Sequence, residues 1–327
     1  MRTRLIVAAM LAVGWAVPAA ATVTAYTVYR TRVSPQMDGE VLGDPAWQAI
    51  PEATGFHALG GGYTAAKQTA VRICWDAEAI YVAFVAEEPD AASLKPAVGD
   101  GGAAWQEDSM EVFLQPRPPT GQVYQLGVTA GAAKAGGEGF PEVAKFQVAA
   151  RIGQTSYSLE LRVPWEVIGA RAQAGASWRG TVCRNIFTTA SGGDKFTTLS
   201  PLQRQFLEPA NFATLRFSDQ ALDVATAGRL TEELNREYRR TLEAELRKLA
   251  GEGKAYVGTL RSAANDEAYG REARELQGQW QRVSALTAGA TRTPLSDLRG
   301  GLAGSRALVQ RSFEVKYRVL LRQLVLD

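Results

Sequence analysis

The feature that most constrains the fold is a period-two alternation of apolar and polar residues, which recurs in short segments up to Phe217 and then stops. The clearest segment spans residues 109–114, and its alternating apolar residues are Met110, Val112 and Leu114. Successive side chains of a β-strand point to opposite faces, so this pattern predicts a strand with one face in a core. Many such segments, separated by turn residues, predict an antiparallel β-sandwich of the jelly-roll or immunoglobulin-like kind.

After Ser218 the apolar residues recur every three or four positions, which predicts amphipathic helices. The apolar stripes are Leu230, Leu234, Tyr238, Leu242, Leu246 and Leu249; Leu276, Trp280, Val283 and Leu286; and Leu302, Val309, Phe313, Val315, Val319, Leu320, Leu324 and Leu326. We therefore divide the chain into a sandwich over residues 22–218 and an all-α extension over residues 219–327. The extension is expected to be a helical hairpin or a three-helix unit.

The apolar stripes need a surface to pack on, because helices in proteins gain most of their stability from packing. We expect the helical unit to fold against itself or a second copy, and binding of a protein partner is the alternative. Its last segment is the most basic, with Arg299, Arg306, Arg311, Lys316, Arg318 and Arg322. That surplus fits an acidic partner or an anionic surface, while a solvated helix face is the simpler interpretation.

The amino terminus has the three parts of a secretory signal. Arg2 and Arg4 precede an apolar stretch, residues 5–17, and small residues follow it at 17–21. The apolar stretch is short for a membrane span. The sequence predicts a signal peptide over residues 1–21, export to the periplasm or beyond, and no transmembrane span after cleavage. An uncleaved anchor is the alternative.

Two cysteines, Cys74 and Cys183, remain in a chain that we expect to be exported. They lack metal-ligand spacing, and His57 is the only histidine, so a zinc site is not expected. In an oxidising compartment the pair predicts one disulfide, and two buried free thiols are the alternative.

Composition and motifs argue against several function classes. A hydrophobic content of 46% and a charged content of 21% are those of a globular protein. No basic, aromatic-interleaved motif indicates nucleic-acid binding. His57 lies outside any nucleophile-elbow motif. Asp108 and Glu111 are an odd number of residues apart, so on one strand they point to opposite faces and cannot flank one glycosidic bond. We expect no enzymatic activity.

A large aromatic residue, Trp105, stands just before the strand that carries Glu111. An exposed ring covers the apolar face of a sugar, and a carboxylate accepts hydrogen bonds from its hydroxyls. The pair indicates carbohydrate binding. The alternative is that Trp105 fills the core beside an ordinary sandwich strand.

The β region resembles a family 9 carbohydrate-binding module, in the wider group of DOMON-like sandwiches. The resemblance extends over roughly residues 33–217 and rests on short motifs in a fixed order. The motifs are Asp38-Gly39 with Asp44-Pro45-Ala46-Trp47; Val71-Arg72-Ile73-Cys74-Trp75-Asp76 with Ile80-Tyr81-Val82; residues 105–113; Leu161-Arg162-Val163-Pro164-Trp165; and residues 208–217.

The resemblance implies a site that clamps a terminal sugar between two aromatic rings, beside a glutamate and several amide or guanidinium groups. Carried over by motif, the rings are Trp105 and Phe206, and the glutamate is Glu111. The neighbouring polar positions are Gln125, Arg184 and Gln203. Phe206 stands where a tryptophan is expected, and Gly127 stands where an arginine is expected. We therefore expect weak sugar binding.

The resemblance also implies a structural calcium ion, whose ligands the sequence does not assign. The function it implies is non-catalytic carbohydrate binding in polysaccharide or oligosaccharide utilisation. The alternative is a structural or assembly protein whose sandwich has lost sugar binding and whose helices bind a protein. Some DOMON-like relatives bind haem, for which His57 and a core-facing Met110 supply axial ligands poorly.

Overall fold

The computed structural model describes residues 23–60, 63–137, 145–188, 195–288 and 293–326, so the predicted signal peptide lies outside it. The strands are β1 (Ala25–Arg30), β2 (His57–Ala58), β3 (Thr69–Trp75), β4 (Ala79–Glu87), β5 (Ser109–Gln115), β6 (Tyr124–Thr129), β7 (Lys134–Gly136), β8 (Gln147–Ile152), β9 (Ser156–Pro164), β10 (Ser177–Asn185), β11 (Phe196–Thr198) and β12 (Ala213–Ser218). The helices are α1 (Pro45–Gln48), α2 (Val224–Leu234), α3 (Arg236–Ser262), α4 (Gly270–Ala288) and α5 (Leu295–Leu326).

The strands form one sheet in the order β7-β6-β5-β10-β12-β1-β3-β4-β9-β8, with β2 and β11 attached beside β10. The sheet folds over at β1, so that its two halves enclose a common core. The predicted sandwich with a helical extension is confirmed, with one correction. Strand β1 runs parallel to both of its neighbours, β12 and β3. Parallel neighbours need long connections, and the segment from residue 31 to 68 supplies one between β1 and β3.

The core between the halves is built from the inward residues of the alternating strands. Met110, Val112 and Leu114 are all buried in it, as the alternation predicts. Four aromatic rings pack edge-on or tilted at one place in this core, with ring centroids 4.8 to 6.4 Å apart; they are Trp75, Trp165, Trp178 and Phe217. Each such pair adds about 0.5–1.5 kcal/mol beyond its buried area, so this cluster holds the two halves together.

Each half of the sheet also has an outer face, and the two outer faces are covered to different degrees. The outer face of β3, β4 and β9, here the covered face, lies under the segment from residue 37 to 50, and Trp47 packs there against Cys74 and Tyr81. The outer face of β5, β6 and β10, here the open face, is covered in part by residues 199–212, and Phe212 packs there against Cys183.

The predicted disulfide between Cys74 and Cys183 is wrong. Both residues are buried free thiols. Cys74 belongs to the covered face and Cys183 to the open face, so the whole core lies between the two sulfur atoms. Burial strongly raises the pKa of both thiols. The two cysteines therefore act as small apolar residues.

Helices α3, α4 and α5 pack around a second core that is separate from that of the sandwich. Its members include Leu242, Leu246, Leu276, Leu302 and Trp280. The indole of Trp280 donates a hydrogen bond to Ser312 Oγ at 3.0 Å across this core. None of the helices in the described ranges combines the length and apolar character that a membrane crossing requires.

The helical unit makes direct side-chain contacts with the sandwich, in addition to being joined to it through the chain. The side chain of Asn235 accepts a hydrogen bond from the Thr54 N–H at 2.9 Å and donates one to the Glu52 carbonyl at 2.8 Å. Arg299 of α5 forms an ion pair with Glu87 of β4 at 2.6 Å. These contacts are directional and polar, so they fix the orientation of the helices on the sheet.

Candidate functional site

The open face brings three polar side chains together because of the strand register. Glu111 of β5 lies opposite Gly127 of β6 and Cys183 of β10. Gln125 and Asn185 are therefore diagonal neighbours of Glu111, and all three side chains project from the same face of the sheet. Alternation along each strand and pairing between strands are sufficient to create this cluster.

The carboxylate of Glu111 is held by two amide groups. Gln125 Nε2 donates to Glu111 Oε2 at 2.5 Å, and Asn185 Nδ2 donates to Oε1 at 2.8 Å. Asn185 Nδ2 also donates to Ser109 Oγ at 3.0 Å, which fixes the orientation of its amide. Burial raises the pKa of Glu111, and the two amide donors offset part of that rise. The carboxylate is thus oriented, but its charged form is less well solvated than in water.

A cleft of about 490 Å³ opens above this cluster. The described residues that line it are Leu59, Trp105, Glu111, Phe113, Gln125, Gly137, Asn185, Phe196, Arg204, Gln205, Phe206 and Leu207. Trp105 stands on a single 3₁₀ turn, Ala104–Gln106, just before β5, and is 41% exposed. Phe206 comes from the loop before β12 and packs edge-on against Phe196 at 6.0 Å between ring centroids. The cleft therefore has aromatic walls and a polar base.

The loop that carries Phe206 is organised by the carboxylate of Glu208. This carboxylate accepts hydrogen bonds from the backbone N–H groups of Gln203 at 2.8 Å, Arg204 at 2.6 Å and Gln205 at 3.2 Å. Asn211 Nδ2 donates a fourth hydrogen bond at 3.0 Å. Burial is the largest single effect on the pKa of Glu208 and raises it, but the four donors together outweigh burial and hold the pKa at about 2. Glu208 thus positions the loop over a wide pH range.

Four of the six predicted binding residues line this one cleft, namely Trp105, Glu111, Gln125 and Phe206. The alternative that Trp105 fills the core is excluded by its exposure. Gln203 is not among the lining residues; its side chain donates to the Pro201 carbonyl at 3.2 Å.

The prediction that Arg184 reaches into the cleft is wrong. Arg184 is fully buried on the inward face of β10, and its Nη2 donates to the Glu87 carbonyl at 2.9 Å. The same nitrogen lies 3.6 Å from Glu88 Oε2, and the guanidinium stands over the ring of Tyr157 at 5.3 Å from the centroid. Arg184 therefore ties the two halves of the sandwich together across one end of the core.

Four lining residues that contribute chemistry were not predicted from the sequence, namely Asn185, Phe196, Arg204 and Gln205. For Asn185 a signal was present. Val182 faces the core, so the alternation of β10 places Arg184 on the inward face and Asn185 on the outward face. No periodicity describes the loop of Arg204 and Gln205, so its position depends on the folded chain.

The space at Gly127 is tight for the arginine that the resemblance implies at this position. A Cβ atom added to Gly127 would lie 3.3 Å from the Cβ atoms of both Ala104 and Ala135. A side chain here would require these neighbours to shift by a few tenths of an ångström. The amides of Gln125 and Asn185 supply the donors around Glu111 instead.

Asp108 and His57 do not join the cleft. Asp108 precedes β5, and its carboxylate accepts from the backbone N–H groups of Phe187 at 3.2 Å and Thr188 at 3.0 Å. It therefore fixes the chain after β10 and forms no pair with Glu111. His57 is buried on β2, where burial lowers its pKa to about 4.

The calcium ion implied by the resemblance finds no acidic ligand set in the part of the chain that the structure describes. There, no three His, Cys, Asp or Glu side chains are grouped in a way that could hold a metal ion. Because calcium prefers several carboxylate and carbonyl oxygens, the described residues do not fit it.

A family model described as "Carbohydrate family 9 binding domain-like" matches residues 37–214. A family 9 carbohydrate-binding module from Caldicellulosiruptor kristjanssonii in complex with cellotriose is 19% identical, with a TM-score of 0.47, over 60% of this chain and 95% of that chain. Its complex with glucose gives the same identity and TM-score over 60% of this chain and 97% of that chain. A comparison with curated proteins found no match.

Proposed function

This chain belongs to the carbohydrate family 9 binding domain-like family, and from that premise we propose that it is a non-catalytic protein that binds a sugar in the open-face cleft. One observation carries the proposal. The exposed ring of Trp105, the ring of Phe206 and the amide-held carboxylate of Glu111 line a single cleft. Aromatic surface beside oriented hydrogen-bond acceptors is the chemistry that a pyranose requires.

The two kinds of lining have separate roles. The apolar C–H face of a pyranose stacks on Trp105 or Phe206, and the hydroxyls at its edge reach the polar base. Each oxygen of Glu111 receives one amide N–H. A carboxylate oxygen accepts about two hydrogen bonds, so each still accepts from a sugar hydroxyl. Because the amides already hold the carboxylate in place, little side-chain entropy is lost on binding.

The described lining residues favour a binding role over glycoside hydrolysis. Glu111 is the only carboxylate among the described residues that line the cleft. Hydrolysis in most glycosidases uses two carboxyl groups on either side of the bond. Asp108, the other acid of the segment, is committed to the chain after β10.

The cellular setting is part of the same proposal and rests on the sequence. The charged, apolar and small-residue order of residues 1–21 is that of a secretory signal. We propose that the protein is exported to the periplasm or beyond, where it binds terminal sugars during polysaccharide or oligosaccharide utilisation.

A glycan array with the full mature chain tests this function, followed by calorimetric titration of the glycans that bind. We expect a Kd of about 10 µM to 1 mM, because Phe206 offers less surface than a tryptophan. Trp105→Ala should weaken binding about tenfold or more, since a stacked ring contributes about 1–3 kcal/mol in comparable stacking on bases. The matched control is Tyr317→Ala, because Tyr317 is an exposed aromatic residue of α5 that does not line the cleft. A folded protein that binds no glycan, or a Trp105→Ala variant that binds normally, contradicts the proposal.

A second candidate function, protein assembly through the helices, is favoured by one observation. Helix α5 exposes four large apolar side chains on its carboxyl-terminal half, namely Phe313, Tyr317, Leu320 and Leu321, with 38 to 61% of each accessible. Sedimentation of the full chain, compared with Leu321→Lys, tests it. A concentration-dependent increase in mass that the substitution removes, together with a blank glycan array, would favour assembly.

A further inference from the structure

We propose that the cleft prefers acidic sugars, and that Arg204 binds the carboxylate of a uronic acid. This inference rests on the proposed function, because it concerns the same cleft. It adds a substrate class, a pyranose with a carboxylate at C5, and a residue that determines specificity.

The position of Arg204 in the cleft is fixed by its backbone. Its N–H donates to Glu208 Oε1 at 2.6 Å, inside the turn that also binds the N–H groups of its two neighbours. Arg204 stands two residues before Phe206, and both line the cleft. The side chain of Arg204 is exposed. A fixed main chain with an exposed side chain places the guanidinium at the rim, beside an aromatic wall.

The nearby acids are already committed to other donors. Glu208 accepts from three backbone N–H groups and from Asn211. Glu111 accepts from Gln125 and Asn185 at the base of the cleft. Across the described ranges, no acidic side chain lies within ion-pair distance of Arg204. Among the described residues, its guanidinium thus has no ion-pair partner and remains available to a ligand in the cleft.

A second cation, Lys195, lies near the same wall but is used differently. Its Nζ stands 4.0 Å from the ring centroid of Phe187 and 5.5 Å from that of Phe196. It stabilises the aromatic wall through cation–π contacts and is not a lining residue. Arg204 is therefore the cation that faces a ligand among the described lining residues.

A stacked uronic acid fits the positions of the two charges in the cleft, the Arg204 guanidinium at the rim and the Glu111 carboxylate at the base. When a pyranose lies flat on an aromatic ring, the substituent at C5 projects at the edge of the stack. In a hexose it is a hydroxymethyl group, and in a uronic acid it is a carboxylate. A guanidinium binds a carboxylate through two parallel hydrogen bonds, which a hydroxymethyl group cannot match. Glu111, at the base, would repel the carboxylate, so the two charges orient the sugar with its acid toward Arg204.

Calorimetric titration of the full mature chain with glucose and with glucuronate tests the inference, using wild type, Arg204→Gln and Arg216→Gln. Arg216 is an exposed arginine of β12 outside the cleft lining and is the matched control.

We expect wild type to bind glucuronate about tenfold more tightly than glucose, as charge-assisted hydrogen bonds permit. Arg204→Gln should reduce the ratio of glucuronate affinity to glucose affinity to about one, and Arg204→Lys should retain part of the preference. Added salt should weaken glucuronate binding only.

The outcomes separate this inference from the proposed function. Equal or tighter binding of glucose by wild type overturns the acidic preference and leaves sugar binding intact. A preference for glucuronate that survives in Arg204→Gln overturns the role of Arg204. If no sugar binds, and the glycan array is blank, the proposed function itself fails.

Discussion

Each outer face of the sandwich has a buried glutamate near a tryptophan. The two faces differ in the hydrogen-bond donors of that glutamate and in the exposure of the tryptophan. On the covered face, Glu160 accepts from Trp47 Nε1 at 2.6 Å, the Gly39 N–H at 2.6 Å and the Asp38 N–H at 3.1 Å. Trp47 and Glu160 are both fully buried. On the open face, Glu111 accepts from two side-chain amides, and Trp105 is 41% exposed.

This difference shows that a buried carboxylate does not by itself mark a binding site. Burial is the main cause of a raised pKa for both Glu160 and Glu111. The donors of Glu160 come largely from the backbone of a segment that closes over it, so the carboxylate fastens that segment to the sheet. The donors of Glu111 come from neighbouring strands of the same face, which leaves the space above it open. Five substitutions test the contrast.

The largest effect is expected from Trp47→Ala. Removal of a fully buried tryptophan typically costs about 3–5 kcal/mol in the free energy of unfolding, and here it also leaves Glu160 without one donor. Trp105→Ala should cost much less, because 41% of that residue is already exposed to solvent. Urea denaturation of both variants measures the difference. Similar losses for the two variants would mean that the open face is also structural.

Glu160→Gln should cost about 1–3 kcal/mol, because an amide cannot accept all three hydrogen bonds and leaves a buried donor unpaired. Sugar affinity should not change, since Glu160 lies on the face opposite the cleft. Denaturation and glycan titration of the same sample provide both values. A fall in sugar affinity without a fall in stability would contradict the separation of the two faces.

Glu111→Gln should weaken sugar binding about tenfold while leaving the fold intact, because the sugar loses a charged acceptor. The folded-state pKa of Glu111 is raised above its usual 4.5, so the stability it contributes is complete below that pH and is lost as pH rises through the folded pKa. The stability of wild type relative to Glu111→Gln should therefore fall between acidic and neutral pH. Denaturation at several pH values checks this, and a rise with pH would refute it.

The smallest effect on stability is expected from Glu208→Ala, which removes the acceptor of four hydrogen bonds in an exposed loop. Sugar affinity should fall severalfold, since Arg204 and Phe206 lose their fixed positions. In wild type the pKa of Glu208 is about 2, so the loop keeps its order above the usual pKa of 4.5 and loses it as pH falls toward 2. Hydrogen exchange of residues 203–208 follows the loop directly, and unchanged exchange in the variant would exclude this role.

Alternation along the strands predicted the sandwich and most of the cleft. The period of two places Glu111 away from Met110, Val112 and Leu114, which the structure confirms. The same rule, applied to β10, would have placed Arg184 inside and Asn185 outside. The resemblance outweighed that rule for Arg184, and the structure shows that the alternation was the better guide.

The remaining features depend on topology, which local pattern does not encode. Both cysteines are buried on the outer faces of the sheet, away from the core between its halves. Because the sheet folds over at β1, these two outer faces lie on opposite sides of the sandwich, which the sequence pattern does not reveal. The parallel pairing of β1 likewise requires knowledge of which strands become neighbours. The hydrogen-bonded turn at Glu208 arises from contacts within an irregular loop, where no periodicity applies.

The parallel register of β1 and β12 also determines how the molecule responds to a mechanical load. The start of β1 and the end of β12, where the chain continues into the helices, lie at opposite ends of the same seam. A pull applied between these two points slides the strands along each other, so the hydrogen bonds of the seam bear the force together rather than one after another. A chain that is held at the start of β1 and restrained through its helices would thus be loaded in shear along this seam.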